Sequence, residues 1–248
     1  EKDVTYRSQR PGVAHACGHD MHTTVVLGAG LVLAGMDPAA LPHRIRLVFQ
    51  PAEELTPGGA QDVVAAGAMD GVQAVYALHC DPRLDVGRIG TRIGPITSAS
   101  DHVVVRLRGP AGHTSRPHLT ADLVYALAQV ATVVPAALSR RIDPRAVVNL
   151  TWGRIEAGRA ANAIPSDGLI EGTLRCMDSR AWEAAGRFVR EIVGQVVAPF
   201  GVEYEVVVTP GVPPVDNNAA AVGTMERAAR TVLGEDAIVL TEQSLGGE

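Results

Sequence analysis

The segment HACGHDMH, residues 15–22, brings a thiol and several imidazoles to the start of a long apolar run. This run, HTTVVLGAGLVLAGM at residues 22–36, predicts a buried helix because it is apolar on nearly every side. Further along, RIRLVFQ at 44–50 and AVYALH at 74–79 predict strands, and residues 58–69 predict a helix. The alternation of helices and strands indicates an α/β domain with a mostly parallel central sheet flanked by helices.

A second pattern begins near Ser98 and has a different order of elements. The predicted elements are a strand at 101–108, a helix at 120–139, strands at 146–155 and 168–176, a helix at 179–199 and a strand at 202–209. Ser179 is the predicted N-cap of the second of these helices. This βαββαβ order is that of a ferredoxin-like α+β unit.

Prolines after this unit, followed by a helix predicted at 217–233, indicate a return to the first domain. The sequence therefore predicts a catalytic domain formed by residues 1–97 and 211–248. A small domain of residues 98–210 is inserted into it.

The composition argues against binding to nucleic acid or to a membrane. The chain has 248 residues and a formal net charge of −5, so it offers no basic surface for nucleic acid or for a membrane. No run of about 18 apolar residues occurs, and we expect neither a transmembrane span nor a signal peptide in this sequence, although residue 1 is not Met. The three cysteines do not form a disulfide framework, which favours a cytoplasmic location.

Candidate metal ligands follow several of the predicted elements. Cys17 and His19 are one residue apart, which is too close for a zinc-finger pair but suits a loop that turns both side chains to one site. Glu53 and Glu54 follow the first strand, and His79 ends the second. Because ligands bind at the carboxyl ends of strands in open α/β sheets, these groups indicate a divalent metal site. One carboxylate could bind metal while its neighbour takes a proton from water.

Each of these residues also has an ordinary interpretation. Adjacent acids commonly form a solvated turn, and a single histidine at a strand end is commonly structural. Cys17 could instead be a nucleophile with a histidine base. Cys80 should point away from His79 in a regular strand, so we predict His79 as the ligand because neutral imidazole is the commoner one.

The predicted insert carries three further candidates. His113 lies in a Gly-His-Thr turn that is unremarkable by itself, and Asn162 lies in the segment AANAIP. Arg175 lies on a predicted strand, where it could form an ion pair or bind a substrate carboxylate with its guanidinium group.

Several motifs, taken together and in order, identify a family resemblance. They are HACGHDMHT (15–23), VFQPAEE with a following GGA (48–60), ALHCDP (77–82), GPAGHTSRPH (109–118), ANAIPSDGLIEGTLR (161–175) and SLGGE (244–248). The chain resembles the dinuclear metallohydrolases that include aminoacylases, carboxypeptidase-G-type enzymes and succinyl-diaminopimelate desuccinylase. Within them it is most similar to the amidohydrolase subfamily of hippurate hydrolase, auxin–amino-acid hydrolases and N-acetyldiaminopimelate deacetylase.

The resemblance implies two divalent metal ions per subunit, with zinc, manganese, cobalt and nickel as candidates. It implies that Cys17 bridges them and that His19, Glu54 and His79 are further ligands. It also implies that Glu53 is the general base.

For the insert, the resemblance implies a lid and dimerisation domain. His113 would reach the active site of the partner subunit and stabilise the oxyanion. Asn162 and Arg175 would hold the carbonyl and the carboxylate of the substrate. Asp20 could orient His19 or serve the N-terminus of a helix.

The implied activity is hydrolysis of the amide bond of an N-acyl amino acid by a homodimer that binds neither nucleic acid nor membrane. A dipeptidase or carboxypeptidase on the same scaffold is the first alternative, and a non-catalytic dimeric relative is the second.

Two departures from the family pattern affect this expectation. Family members are longer at both ends, and the sequence lacks their amino-terminal Asp-Ala-Leu-Pro-like segment and a carboxyl-terminal His ligand. We therefore expect residues 1–248 alone to be unstable or inactive. In addition, GPAGHTSRPH differs from the commoner Gly-Gly-His-Ala-Ala form, which would mark a different acyl preference.

Overall fold

The structure is a computed structural model that describes residues 3–55 and 58–248. The α-helices are α1 (His19–Ala34), α2 (Ala60–Ala65), α3 (Leu123–Arg141), α4 (Ser179–Val197) and α5 (Ala219–Leu233). The strands are β1 (Ile89–Thr91), β2 (Gly94–Thr97), β3 (Ala99–Arg108), β4 (Gly112–His113), β5 (Asn149–Ala157), β6 (Ala163–Ile164), β7 (Asp167–Cys176), β8 (Glu203–Val212), β9 (Val215–Asn217) and β10 (Ile238–Leu240). The fold is mixed α/β.

The chain divides into two compact units. The first comprises Glu1–Gly90 and Arg227–Val239, and the second comprises Thr91–Glu226 and Leu240–Glu248. The domain boundaries at 98 and 210 stay a prediction.

The second unit is built on a four-stranded antiparallel sheet with strand order β5-β7-β3-β8. Helix α3 connects β3 to β5, and α4 connects β7 to β8. The long elements therefore follow the predicted order of strand, helix, strand, strand, helix and strand, with ends that differ from prediction by up to three residues.

The core of this unit lies between the sheet and the two helices. On β3, Val103, Val105 and Leu107 are fully buried, whereas Arg106 and Arg108 between and beyond them are not. This alternation follows from the two-residue period of a strand. The core residues of the helices are Leu123, Ala126, Leu127, Val130, Val134 and Leu138 on α3, and Ala185, Val189, Ile192, Val193 and Val197 on α4.

One buried carboxylate holds three elements of this core together. Asp101 on β3 is 5% exposed and accepts hydrogen bonds from Trp182 Nε1 on α4 at 2.9 Å and from the Gly211 amide on β8 at 3.1 Å. A buried carboxylate needs such donors because its desolvation is otherwise unfavourable.

By length and composition alone, α3 could cross a membrane. Its buried side chains belong to the core described above.

Helix α1 departs from the sequence-based expectation in position and in burial. It begins at His19, three residues before the predicted start, and ends at Ala34. None of its residues is buried, and Leu31 and Val32 are 68% and 69% exposed. The prediction of a buried helix is therefore wrong for the described chain, because a helix that is apolar all round needs neighbours on every side to be covered.

The strands predicted at 44–50 and 74–79 are absent from the structure, in which both segments lack a hydrogen-bonded ladder. Within the described ranges, the only sheet of more than two strands is the antiparallel one, so the mostly parallel central sheet is not formed there. A parallel strand takes its partner from a distant part of the chain, and none of the described segments supplies one.

Two smaller predictions also need correction. Helix α2 is shorter than the predicted 58–69 and covers Ala60–Ala65. The N-cap of α4 is Asp178, which accepts a hydrogen bond from the Ala181 amide, whereas Ser179, the predicted cap, is the first helical residue.

We predict that Leu127→Ala lowers the free energy of unfolding of the second unit by about 2–5 kcal/mol, because truncation of a fully buried leucine leaves a cavity. Both tryptophans, Trp152 and Trp182, lie in this unit, so tryptophan fluorescence during urea unfolding measures its transition. The matched control is Val124→Ala on the same helix, where the side chain is 49% exposed. Equal effects of the two changes would contradict the assigned core.

Candidate metal centre

The loop before α1 turns at Gly18, which has a left-handed φ of 80° and precedes the first helical residue. A Cβ at this position would lie 3.3 Å from both Cβ and Sγ of Cys80. Only glycine combines this backbone conformation with so close an approach. Gly18 therefore lets the Cys17–His19 loop lie against the His79–Cys80 segment.

The segment before the paired glutamates packs on α1. A Cβ at Gly30 would lie 2.5 Å from Leu47 Cδ1, so the absence of a side chain there permits the contact. Arg46 donates hydrogen bonds to the carbonyl oxygens of Gly67 and Ala68 beyond α2. These contacts fix the approach of residues 44–50 to the glutamates.

Backbone strain lies next to the glutamates. Ala52 has a φ of 55°, a left-handed conformation that costs a non-glycine residue about 1–3 kcal/mol. The loop returns at Gly58, with a φ of 77°, and Gly59 then lies so close to the Pro51 carbonyl that a Cβ would clash. Strain of this kind clusters at functional sites, where the surrounding structure maintains it.

Cys17 and His79 form the closest pair of predicted ligands. Cys17 Sγ lies 3.4 Å from His79 Nε2. The other ring nitrogen, Nδ1, lies 2.8 Å from the Cys80 carbonyl oxygen. A carbonyl oxygen only accepts, so Nδ1 carries the hydrogen and Nε2 presents its lone pair toward the thiol. Metal-binding histidines are oriented in this way by backbone carbonyls.

His19 links this pair to the glutamates. Its Nε2 lies 3.4 Å from Glu53 Oε2 and 3.9 Å from Glu54 Oε1. The His19 and Glu53 side chains are 27% and 29% exposed, whereas that of Glu54 is 57% exposed. The sequence did not distinguish the two glutamates by environment, and the structure shows that Glu53 is the more enclosed.

Two histidines near the site were not predicted to take part in it. His15 Nε2 lies 3.8 Å from Glu54 Oε1, and the rings of His15 and His19 are 4.2 Å apart. His22 Nε2 accepts a hydrogen bond of 2.9 Å from the Cys80 amide. The available signal was their presence within the same motif as Cys17 and His19.

The surroundings of His22 favour its neutral form. Burial lowers the pKa of His22, and the neighbouring His79 and His19 lower it further. A neutral ring can accept from the Cys80 amide, which a protonated ring cannot do. His22 thus supports the segment that carries His79.

The donor atoms fall into two groups that share His19. One group is Cys17, His19 and His79, and the other is His15, His19 and Glu54, with the ligand atoms of each group within 4.8 Å of one another. Thiolate, imidazole and carboxylate donors together suit borderline divalent cations. The structure therefore brings the four predicted ligands close together, and each of the two groups could hold a divalent metal ion.

Asp20 lies in the first turn of α1, where its charge favours the positive end of the helix dipole. Within residues 3–55 and 58–248, no hydrogen bond joins its carboxylate to His19, so the helix position is the role that the structure supports.

The second unit holds the other predicted site residues. His113 pairs with Ala163 in the β4–β6 ladder, and the Thr114 amide donates to the Asn162 carbonyl oxygen at 3.1 Å. His113 and Asn162 are thus brought together on neighbouring backbone segments. Arg175 lies on β7, where its guanidinium group donates a hydrogen bond to the Leu245 carbonyl oxygen.

We predict that the three cysteines react with a thiol reagent at different rates. Burial raises the pKa of the Cys176 thiol, so this cysteine should react only on unfolding, whereas Cys17 and the exposed Cys80 should react in the folded chain. Addition of Zn²⁺ should protect Cys17 alone. The measurement is the number of fast-reacting thiols with and without metal, in the unchanged protein and in Cys17→Ser and Cys80→Ser. Metal protection that persists in Cys17→Ser would exclude Cys17 as a ligand.

Comparison with known proteins places this geometry in a family. The model of peptidase family M20/M25/M40 matches residues 1–248. The chain is 36% identical to the N-acetyl-L-cysteine deacetylase of Bacillus subtilis (strain 168) over 226 residues, which are 91% of this chain and 54% of that protein. It is also 49% identical to a Rhodococcus jostii (strain RHA1) protein named as a glutamate–cysteine ligase, over 99% of this chain but only 30% of that protein.

Among solved structures, a dinuclear metal-binding peptidase of the M20 family from Bacillus subtilis superposes with a TM-score of 0.81 at 29% identity. The match covers 100% of this chain and 63% of that one, so the chain spans less than two thirds of the length of that structure. The family match spans the whole chain and confirms the resemblance that the motifs indicated. This chain therefore belongs to peptidase family M20/M25/M40.

Proposed function

We propose that the protein is a metal-dependent amidohydrolase that cleaves the amide bond of N-acyl amino acids. The observation that carries the proposal is the convergence of Cys17, His19 and His79 with Glu53, whose carboxylate lies 3.4 Å from His19 Nε2. Metal ligands beside an additional carboxylate are what hydrolysis by activated water requires.

Two divalent ions would be held by Cys17, His19, Glu54 and His79. His15 lies close enough to Glu54 to support that carboxylate. When bound, the ions supply Lewis-acid activation of water and of the amide carbonyl. Zinc, manganese, cobalt and nickel all remain candidates, because the donor set mixes soft and hard ligands.

Glu53 is the proposed general base. Its carboxylate accepts a proton from the attacking water and returns this proton to the amide nitrogen, so the C–N bond breaks to give a carboxylic acid and an amine. The partial enclosure of Glu53 favours this role over Glu54, because exclusion of bulk water strengthens electrostatic interactions within a site.

Residues 98–210 are the proposed ferredoxin-like insert, acting as a lid and as the contact of a homodimer. His113 would donate a hydrogen bond to the oxyanion in the active site of the partner subunit. Asn162, held beside the His113 strand, would bind the substrate carbonyl. Arg175 would bind the substrate carboxylate, which only a cationic residue of this kind can pair with in two parallel hydrogen bonds.

The substrate class rests on the relatives. The Bacillus relative is named as an N-acetyl-L-cysteine deacetylase, so N-acetyl-cysteine belongs in the first panel together with N-acetyl, N-benzoyl and N-indoleacetyl derivatives of other amino acids. The second candidate is a dipeptidase or carboxypeptidase, which the peptidase name of the matched structure favours.

We predict that Glu53→Gln lowers kcat by about 10²–10⁴-fold on the best substrate of this panel, because an amide cannot accept the proton. Amine release would be measured with Mn²⁺, Co²⁺ or Zn²⁺, using the parent protein of full length. The matched control is Glu235→Gln, since that carboxylate belongs to the same unit and is 88% exposed. Preferred release from free dipeptides would select the second candidate, and activity retained by Glu53→Gln would exclude the proposed base.

We predict that Arg175→Met lowers kcat/KM for N-acyl amino acids by about 10–100-fold, as expected when a charge-assisted hydrogen bond is lost. The same change should have little effect on the corresponding N-acyl amino acid amides, which lack the carboxylate. Arg106→Met on β3 is the control, since that arginine is ion-paired with Glu205 at the surface. An equal loss for acids and amides would show that Arg175 does not recognise the carboxylate.

A further inference from the structure

His113 makes two contacts through the same ring nitrogen. The Ser115 amide lies 3.1 Å from His113 Nδ1, and Ser115 Oγ lies 2.8 Å from the same atom. The backbone around them is fixed by the β4–β6 pairing and by a turn in which the Arg116 amide donates to the His113 carbonyl at 2.9 Å. Ser115 is therefore held directly against the imidazole.

The amide contact determines where the ring hydrogen lies. A backbone N–H can only donate, so Nδ1 must present its lone pair. The Ser115 hydroxyl can then only donate to Nδ1 as well. In the neutral ring the hydrogen consequently resides on Nε2, on the opposite side of the imidazole from Ser115.

We infer that Ser115 is a positioning residue that fixes His113 in its Nε2–H form and aims this N–H at the reacting carbonyl oxygen. The catalytic consequence rests on the proposed function, in which His113 donates to the oxyanion. The other tautomer would present a lone pair to a negatively charged oxygen and would repel it. Two donors on Nδ1 exclude that tautomer, much as an oriented partner sets the tautomer of a catalytic histidine in other sites.

The side chain of Ser115 and its backbone amide make separate contacts with His113. This chain has Gly-His-Thr-Ser at 112–115. The amide contact would survive a change to alanine, but the hydroxyl contact would not. The contribution of the side chain can therefore be separated from that of the backbone.

The first test is direct observation of the ring nitrogens. The Zn²⁺-loaded protein would be labelled with ¹⁵N-histidine, and the His113 signals would be assigned by their loss in His113→Gln. We expect Nδ1 to resonate as an unprotonated, hydrogen-bonded nitrogen and Nε2 as a protonated one. Ser115→Ala should shift the Nδ1 signal toward that of a less hydrogen-bonded nitrogen, and Ser115→Thr should restore it. A protonated Nδ1, or the same Nδ1 signal in Ser115→Ala, would overturn the inference.

The second test is kinetic. Ser115→Ala should lower kcat by about 2–10-fold, the effect of one net hydrogen bond, with little change in KM, and Ser115→Thr should recover it. Ser139→Ala removes a hydroxyl from α3 of the same unit, where it bonds to the Ala136 carbonyl, and should change neither kcat nor the His113 signals. A loss of kcat that Ser115→Thr does not recover would count against a positioning role.

The two tests separate this inference from the proposed function. If the unchanged protein of full length turns over no substrate, the amidohydrolase proposal fails, yet the nitrogen signals still decide whether Ser115 sets the tautomer. If turnover is normal and Nδ1 is protonated, the proposed function stands and the role of Ser115 is excluded.

Discussion

The close approach of Gly18 to Cys80 is the constraint on which the candidate metal centre depends. It places two chain segments, separated by more than sixty residues, within reach of a single cation, and the 3.4 Å contact between Cys17 Sγ and His79 Nε2 follows from it. The Cys80 residue then serves the site through its backbone, since its carbonyl orients His79 and its amide binds His22. A side chain at position 18 would separate these segments, so the glycine belongs to the site as much as the ligands do.

The same centre shows how local conformation and chemistry are coupled. Ala52 holds a left-handed φ immediately before the two glutamates, and glycines 58 and 59 return the chain against Pro51. One carboxylate lies toward His19 and the other is more exposed. Adjacent identical residues thereby acquire different environments, which is the condition for one to bind metal and the other to transfer protons.

The sequence predicted the second unit much better than the first, and the reason is physical. In the four-stranded sheet each strand pairs with an antiparallel neighbour. Alternate apolar side chains, such as Val103 and Leu107, pack against helices that are close in sequence. The helices and strands there could be placed to within a few residues. In the first unit the apolar segments 44–50 and 74–79 gave the pattern of buried strands, but a pattern does not supply hydrogen-bonding partners.

For the candidate site, the motifs predicted which residues could be ligands but not which groups lie around them. Cys17, His19, Glu54 and His79 could be predicted as ligands from the motifs and the family resemblance, and the structure places their side chains close together. The contributions of His15 and His22 depend on distances across the fold and on which ring nitrogen faces which backbone group. Likewise, Asp178 rather than Ser179 caps α4, because either residue type can cap and only the geometry of the turn decides between them.

The two units also differ in the kind of group that they offer, and this difference bears on the proposed chemistry. The first unit presents lone pairs from a thiol, imidazoles and carboxylates, which attract a cation. Under the proposed function, the second supplies donors, namely the His113 Nε2–H, the Asn162 amide and the Arg175 guanidinium, for anionic oxygens of the substrate. Hydrolysis of an N-acyl amino acid requires both, since a nucleophile must be activated while negative charge develops on the carbonyl oxygen and persists on the carboxylate. Under the proposed function, a tautomer that turned His113 into an acceptor would remove the donor to the oxyanion, so the contact with Ser115 would affect the reaction even though one hydrogen bond contributes little energy.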